Sequence, residues 1–162
     1  MAGVAQVNDR IFNLRELELP PYQNGPEGHR FRLRGVATDV GASLTGLSIY
    51  ELDPRQASWP YHFELSEEEW ILVIEGELVL RTPEGERTLG AGDVACFPAG
   101  AEGAHSVRNA SASSVRFAMP SSVATQADGA VYPDSGNFVL RGPGFSHRGR
   151  LGEPVAYWEG ET

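Results

Sequence analysis

The sequence predicts an all-β fold, and three observations support this prediction. Short runs of alternating or β-branched residues recur along the chain, and 19 glycines and 11 prolines are spread between them. No stretch of ten residues has the apolar spacing of an amphipathic helix. At 162 residues, the chain has the length of one domain that buries a sizeable core. We therefore expect a single domain built from short strands.

Nine strands are predicted in the central part of the chain. The segment Thr82–Gly85 places proline and glycine where a tight hairpin needs them, and Glu75-Gly76-Glu77 predicts a second turn between antiparallel neighbours. The predicted strands are Phe31–Val36, Leu44–Glu51, Tyr61–Leu65, Trp70–Ile74, Glu77–Arg81, Arg87–Leu89, Asp93–Phe97, His105–Asn109 and Val115–Met119.

The segment Glu69–Ile74 is apolar on both alternating faces, so we expect a second sheet or a partner subunit to cover its outer side. The flanks, residues 1–29 and 121–162, are richer in turn formers and are predicted to be ordered arms that pack on the central block or on a second subunit. The tail keeps too much apolar surface for a purely disordered end, namely Phe138, Val139, Leu140, Tyr157 and Trp158.

Composition argues against several classes of function. Thirteen basic and 22 acidic residues give a net charge of -9, which would repel a nucleic-acid backbone. The longest apolar run, Trp70–Ile74, is far too short to span a membrane. The first ten residues lack the apolar stretch of a secretory signal, and the lone Cys96 has no disulfide partner. A cytoplasmic protein without nucleic-acid or membrane partners is expected.

Histidines and glutamates in one segment suggest a metal site. Residues two apart on a strand share a face, so the side chains of His62 and Glu64 are expected to point the same way. Glu69 follows a short bend that can return the chain antiparallel, so three ligating groups would converge from one hairpin. One imidazole and two carboxylates suit divalent Mn, Fe, Ni, Co or Zn. The next strands could direct His105 into the same cavity as a fourth ligand.

The stretch from Pro60 to Asn109 resembles the two conserved motifs of the cupins. The first motif of that family places a histidine, a second ligand, a glutamate and a glycine in order, and the second motif places a glycine, a proline, a further glycine, a histidine and an asparagine. The matching residues here are His62, Glu64, Glu69 and Gly76, and then Gly92, Pro98, Gly100, His105 and Asn109.

The resemblance implies a double-stranded β-helix, or jelly-roll barrel, with core residues of about 30–120 and a metal near its mouth. It also implies a homodimer. The metal would be one divalent ion (Fe, Mn, Ni or Zn) held by His62, Glu64, Glu69 and His105. Three departures stand out: Gln56 replaces the opening glycine, two extra residues precede His105, and Glu64 occupies the place of the usual second histidine. Glu64 is therefore either a ligand or a general base beside a three-ligand site.

Several other residues are assigned to packing. Tyr50, Phe97, Phe117 and Met119 are expected to line the barrel or its core, and Cys96 is expected to be inert in a buried strand.

Three functions remain open on the sequence alone. The first is a metal-dependent enzyme that acts on a small organic molecule, either as an oxygenase or as an isomerase or lyase, with Glu64 as the catalytic base. The second is a non-catalytic small-molecule-binding module that uses the same pocket. The third is a structural dimer with a degenerate site. Cupins host many unrelated reactions, so the fold does not choose between them.

Overall fold

A computed structural model of the chain describes residues 10–123, 127–156 and 159 and confirms the all-β prediction. Each of the nine predicted strands has a counterpart, while β1 and the C-terminal β11–β13 were not predicted; Tyr157 and Trp158 lie outside the described residues. The strands are β1 (Pro21–Tyr22), β2 (Phe31–Gly35), β3 (Thr45–Leu52), β4 (Phe63–Glu64), β5 (Glu69–Glu75), β6 (Glu77–Thr82), β7 (Gly85–Gly90), β8 (Val94–Phe97), β9 (Ser106–Arg108), β10 (Val115–Ser122), β11 (Asp128–Tyr132), β12 (Asn137–Gly142) and β13 (Phe145–Arg150).

The strands form three antiparallel sheets that fold as the predicted double-stranded β-helix. Six strands pair in the order β1-β2-β3-β10-β5-β8, and three pair in the order β7-β6-β9. The third sheet, called here the C-terminal sheet, has the order β13-β12-β11-β4. Between these sheets lies one apolar core, to which the six-stranded sheet contributes Phe31, Tyr50, Leu52, Ile71, Val73, Val115, Phe117 and Met119, and the three-stranded sheet contributes Leu78, Leu80, Leu89 and Val107. Tyr50, Phe117 and Met119, with Phe97, are buried as predicted.

The N-terminal segment, residues 12–19, covers the outer face of the six-stranded sheet. Leu17 and Leu19 are buried there, and they pack in one cluster with the outward side chains of Leu72 and Ile74. The cover expected over this strand is therefore supplied by the arm of the same chain. Burying these side chains removes apolar surface from water, which stabilises the fold by roughly 25 cal/mol per Å².

Arg116 on β10 fastens this segment to the sheet. Its guanidinium donates hydrogen bonds to the carbonyl oxygens of Leu14 (3.1 Å), Arg15 and Leu17 (3.0 Å). It also lies 3.2 Å from the carboxylate of Glu51. Charge-assisted bonds are stronger than neutral ones, so this side chain adds to the apolar packing in holding residues 14–17 against β10.

Two predicted turns behave differently. The turn at Pro83 forms a hairpin, because β6 and β7 pair and Thr82 lies opposite Gly85. The prediction of antiparallel neighbours around Gly76 is wrong, since β5 and β6 lie in different sheets. Gly76 has a φ of +79°, and an added Cβ would come within 2.8 Å of the Ser114 carbonyl oxygen. Glycine is needed here for the close passage of the chain from one sheet to the next.

The predicted hairpin between Tyr61–Leu65 and Trp70–Ile74 is also wrong. The short strand β4 pairs with β11, with Glu64 opposite Ala130. In contrast, β5 pairs with β10 and β8. A long-range partner replaces the local one because the chain after Glu64 crosses from the C-terminal sheet to the six-stranded sheet.

Some apolar side chains on the outside of the six-stranded sheet remain in contact with solvent. Trp70 is 40% exposed and Val94 is 53% exposed. Cys96 lies opposite Trp70 on the edge strand β8 and is exposed, so the prediction that it is buried is wrong. The homodimer stays a prediction. Within the described part of the chain, no helix has the length and hydrophobicity that crossing a bilayer requires.

We expect Arg116→Gln to destabilise the protein by about 1–3 kcal/mol, because the carbonyl oxygens of Leu14, Arg15 and Leu17 lose their charged donor. Urea unfolding would measure this loss, and limited proteolysis should cut residues 10–19 faster than in the wild type.

Arg108→Gln is the matched control, because the ion pair of Arg108 with Glu86 is solvent-exposed and should contribute less than about 1 kcal/mol. Equal stability of the two variants would contradict the role assigned to Arg116.

Candidate metal centre

A pair of backbone hydrogen bonds brings the two predicted histidines together. The amide of His62 donates to the carbonyl oxygen of His105 (3.1 Å), and the amide of His105 donates to that of His62 (2.8 Å). This isolated antiparallel bridge joins the loop before β4 to the loop before β9. The imidazole centroids are consequently 4.9 Å apart.

Both imidazoles are held in the same tautomer. The Nδ1–H of His62 donates to the carbonyl oxygen of Pro60 (2.8 Å), and that of His105 donates to the carbonyl oxygen of Gly103 (2.9 Å). Because a carbonyl oxygen can only accept, Nδ1 carries the proton in each ring. In the neutral rings Nε2 is therefore left with a free lone pair, as in a typical metal-binding histidine.

The two carboxylates lie beside these nitrogens. The Glu69 Oε2 atom is 3.5 Å from Nε2 of His105 and 3.9 Å from Nε2 of His62. The Glu64 Oε1 atom is 3.5 Å from Nε2 of His62. The shared face predicted for His62 and Glu64 is therefore confirmed. One ligating atom from each of His62, Glu69 and His105 lies within 4.8 Å of the other two, a grouping that could hold a metal ion.

Several polar atoms of the site are buried without a partner. Oε2 of Glu64, Oε2 of Glu69 and Nε2 of His105 make no hydrogen bond within the described residues. Leaving a buried polar atom unsatisfied costs about 1–3 kcal/mol. A divalent cation held by His62, Glu69 and His105 would satisfy the Glu69 and His105 atoms, and this donor set fits such an ion, while Glu64 lies outside the group.

Burial shifts the pKa of each group in the direction that favours the neutral form of that group. Burial, reinforced by the charges of Glu69 and nearby acidic groups, raises the pKa of Glu64 to about 8. Burial and neighbouring acidic groups raise the pKa of Glu69 to about 7. For the histidines, burial lowers the pKa of His62, and burial together with the charge of His62 lowers the pKa of His105 to about 4. The two histidines are thus neutral at pH 7, as metal binding requires.

Aromatic rings enclose the histidines. Phe97 stacks on His105 with a centroid distance of 3.8 Å, and Tyr132 of β11 stacks on His62 at 5.7 Å. On the inner side, Tyr50 accepts a hydrogen bond from Nε1 of Trp59 (2.9 Å). Stacking on Phe97 and Tyr132 limits the rotation of the two imidazoles.

The C-terminal sheet closes one side of the site. The backbone of Glu64 is held between β11 and the amide of Gly100, which donates to the Glu64 carbonyl oxygen at 2.8 Å. Burial, with a further contribution from the charge of Glu64, raises the pKa of the Tyr132 phenol. Tyr132 was not predicted as a site residue. The available sequence signal was that Tyr132 and the small Ala130, two residues apart, share a face of one strand. This signal does not identify the partner strand, because Glu64 lies 66 residues before Ala130 in the chain.

A cleft of about 600 Å³ opens next to the site. It lies between the Trp59–Pro60 segment and the C-terminal sheet, and its volume is in the range of small-molecule pockets. Pro60 and Tyr132 connect the cleft to the metal centre, since both contact His62. The lining residues are Tyr22, Trp59, Pro60, Tyr132, Ser135, Asn137, Phe138, Val139, Arg148 and Gly149.

Comparison with known proteins gives a family match and several structural neighbours. A family model described as a cupin domain matches residues 48–120. A structure from Acidithiobacillus ferrooxidans, named as a sugar phosphate isomerase, is 19% identical, with a TM-score of 0.77 over 87% of this chain and 92% of that chain. A structure from Silicibacter pomeroyi, named as a sugar phosphate isomerase of a cupin superfamily, is 24% identical, with a TM-score of 0.75 over 91% of this chain and 97% of that chain.

A third structure, from Thermus thermophilus, is 30% identical and has a TM-score of 0.55 over 70% of this chain and 97% of that chain. No curated protein matches the sequence significantly. The family match includes the four residues of the site, and the first two structures cover more of the chain than the family match does.

We expect the metal-free protein to lose stability as the pH rises from about 5 to 8. Both carboxyl groups have raised pKa values in the folded state, so the unfolded chain releases their protons first and is favoured in this window. The histidines act in the opposite sense, because their lowered pKa values reduce stability as the pH falls below about 6.5. Thermal unfolding across this pH range measures both effects.

Glu64→Gln should reduce the loss of stability between about pH 5 and 8. Glu84→Gln, on an exposed turn, should leave that loss unchanged. A curve for Glu64→Gln that matches the wild type would contradict the buried, uncompensated state of Glu64.

Proposed function

This chain belongs to the cupin superfamily, and we propose that it is a metal-dependent enzyme that moves a proton on a small organic molecule, as an isomerase or lyase does. His62, Glu69 and His105 hold one divalent ion, and Glu64 is the catalytic base. The observation that carries this proposal is the position of Glu64. Its carboxylate lies 3.5 Å from one ligand nitrogen, outside the close group of three.

The charges of the site support this division of roles. A general base works best when its pKa lies near the working pH, and burial raises the pKa of Glu64 to about 8. When bound, a divalent ion would polarise a carbonyl or hydroxyl oxygen of the substrate and so acidify the adjacent C–H bond. Glu64 then accepts the proton from that carbon and returns it to a neighbouring atom.

The enclosing aromatic residues serve the same chemistry. Phe97 and Tyr132 keep the imidazoles oriented, and they limit the access of water that would reprotonate the substrate unselectively. The neighbouring structures named as sugar phosphate isomerases agree with this reaction class. The sugar phosphate itself enters here only as a candidate substrate.

We expect the purified protein to hold about one divalent metal ion per chain. His62→Ala and His105→Ala should lose most of it, because each removes a buried lone pair that nothing else in the described site replaces. Glu64→Gln should keep most of the metal. Elemental analysis of untagged protein measures these metal contents. If Glu64→Gln contained as little metal as His105→Ala, Glu64 would be a metal ligand and not the base.

We expect proton exchange at the carbon next to a substrate carbonyl. In D₂O, metal-loaded protein incubated with fructose 6-phosphate or ribose 5-phosphate should incorporate deuterium at that carbon, as measured by proton NMR. Removing a general base typically slows such a step 10²–10⁴-fold, so Glu64→Gln should exchange at least about a hundredfold more slowly.

Glu84→Gln is the control and should exchange at the wild-type rate. Metal-loaded protein that binds these compounds without any exchange would instead favour the non-catalytic binding module. The same absence across diol, keto-acid and sugar panels would reject the enzymatic reading.

A further inference from the structure

The C-terminal sheet places one residue from each of its four strands in a row on one face. Glu64 lies opposite Ala130, Ala130 lies opposite Val139, and Val139 lies opposite Arg148. Directly opposite residues of antiparallel strands share a face. Ala130 and Val139 are buried, so this face is turned toward the interior at its centre, and Arg148 ends the row where the cleft opens.

A second arginine lies on the same face, two residues from Val139. Arg141 stands opposite Asp128 and Ser146 on the neighbouring strands. The positive charge of Arg141 acts on the carboxylate of Glu64, and both Arg141 and Arg148 act on the phenol of Tyr132. Of the two arginines, Arg148 lines the cleft beside Tyr132.

Neither arginine is neutralised by an ion pair within the described residues. In contrast, Arg32, Arg81 and Arg108 lie 2.6–2.7 Å from carboxylate oxygens. Arg148 lines the cleft without a carboxylate partner, whereas Arg141 has Asp128 directly opposite it on β11. The planar fork of an arginine donates two parallel hydrogen bonds, which suits the oxygens of a phosphate.

The dimensions of the row limit what would bind there. Three strand spacings of about 4.8 Å separate Glu64 from Arg148 along the sheet, which makes about 14 Å between their backbones. Both side chains stand on the same face of the sheet, so this separation fits a compound of a few carbon atoms between their charged ends. Between them in the row, Val139 contributes an apolar side chain to the cleft wall.

We propose that Arg148, assisted by Arg141, binds the phosphate group of a small phosphate monoester whose reacting carbon lies at Glu64. This inference rests on the proposed function and assigns the substrate class to the same site. The arrangement holds the dianion at the far end of the row, away from the two buried carboxylates. It thereby orients the substrate and avoids repulsion between like charges.

The test measures binding of glucose 6-phosphate, inorganic phosphate, glucose and succinate to metal-free protein by isothermal titration calorimetry. Without metal, phosphate cannot bind through the ion. We expect the two phosphates to bind, and Arg148→Gln to weaken them about tenfold or more through loss of a bidentate charge-assisted contact. Arg148→Lys should restore part of the affinity. Arg87→Gln, the same charge change on exposed β7, should alter it by less than about twofold.

Several results would overturn the assignment. These are equal affinity of wild type and Arg148→Gln for phosphate, no binding of either phosphate by the wild type, or binding of succinate as tight as that of glucose 6-phosphate. Metal content and deuterium exchange measured on the same variants separate the two proposals. If the metal content is normal and Arg148→Gln binds phosphate as the wild type does, the role of Arg148 in phosphate binding is rejected alone. If Arg148→Gln weakens phosphate binding but the protein binds no metal, the metal-dependent function is rejected alone.

Discussion

The central constraint on this protein is the burial of two carboxylates and two imidazoles at one end of a β-barrel. Each group is removed from water, and the polar atoms of three of them lack a hydrogen-bond partner within the described residues. Transferring a charged group out of water is costly unless another charge compensates it. The site can therefore be occupied by protons or by a cation, and the surrounding packing must hold the groups together although they repel one another.

The backbone meets this requirement. Reciprocal hydrogen bonds between His62 and His105 fix the spacing of the two imidazoles, and carbonyl oxygens two residues earlier fix their tautomers. Stacking on Phe97 and Tyr132 fixes the ring orientations. Because these contacts use Nδ1 and the ring faces, Nε2 remains directed at Glu69. The geometry of the centre is set by contacts that do not compete with a ligand for its lone pairs.

Much of this site could be predicted from the sequence. The two-residue repeat of a strand placed His62 and Glu64 on one face, the bend before Glu69 and the strands leading to His105 added these two residues, and the motif resemblance supported all four. The sequence did not predict the partner of β4, because pairing with β11 depends on a segment far along the chain and no local turn signals it. The same reason explains why Tyr132 was missed. The wrong expectation for Gly76 has another cause: a glycine with positive φ serves a hairpin and a passage between sheets equally well.

The attachment of the C-terminal sheet has a consequence for how such proteins diversify. Strands β11–β13 pair with the chain before them through the short strand β4 and the Leu65 amide, which donates to the Gly129 carbonyl oxygen. The metal centre belongs to the central motifs, while the arginines and most of the cleft wall belong to the later segment. Changes in β12 and β13 can therefore alter the cleft wall while β11, whose Tyr132 stacks on His62, keeps its place. Under the proposed function, β12 and β13 form a recognition surface that can change independently of the groups buried in the barrel.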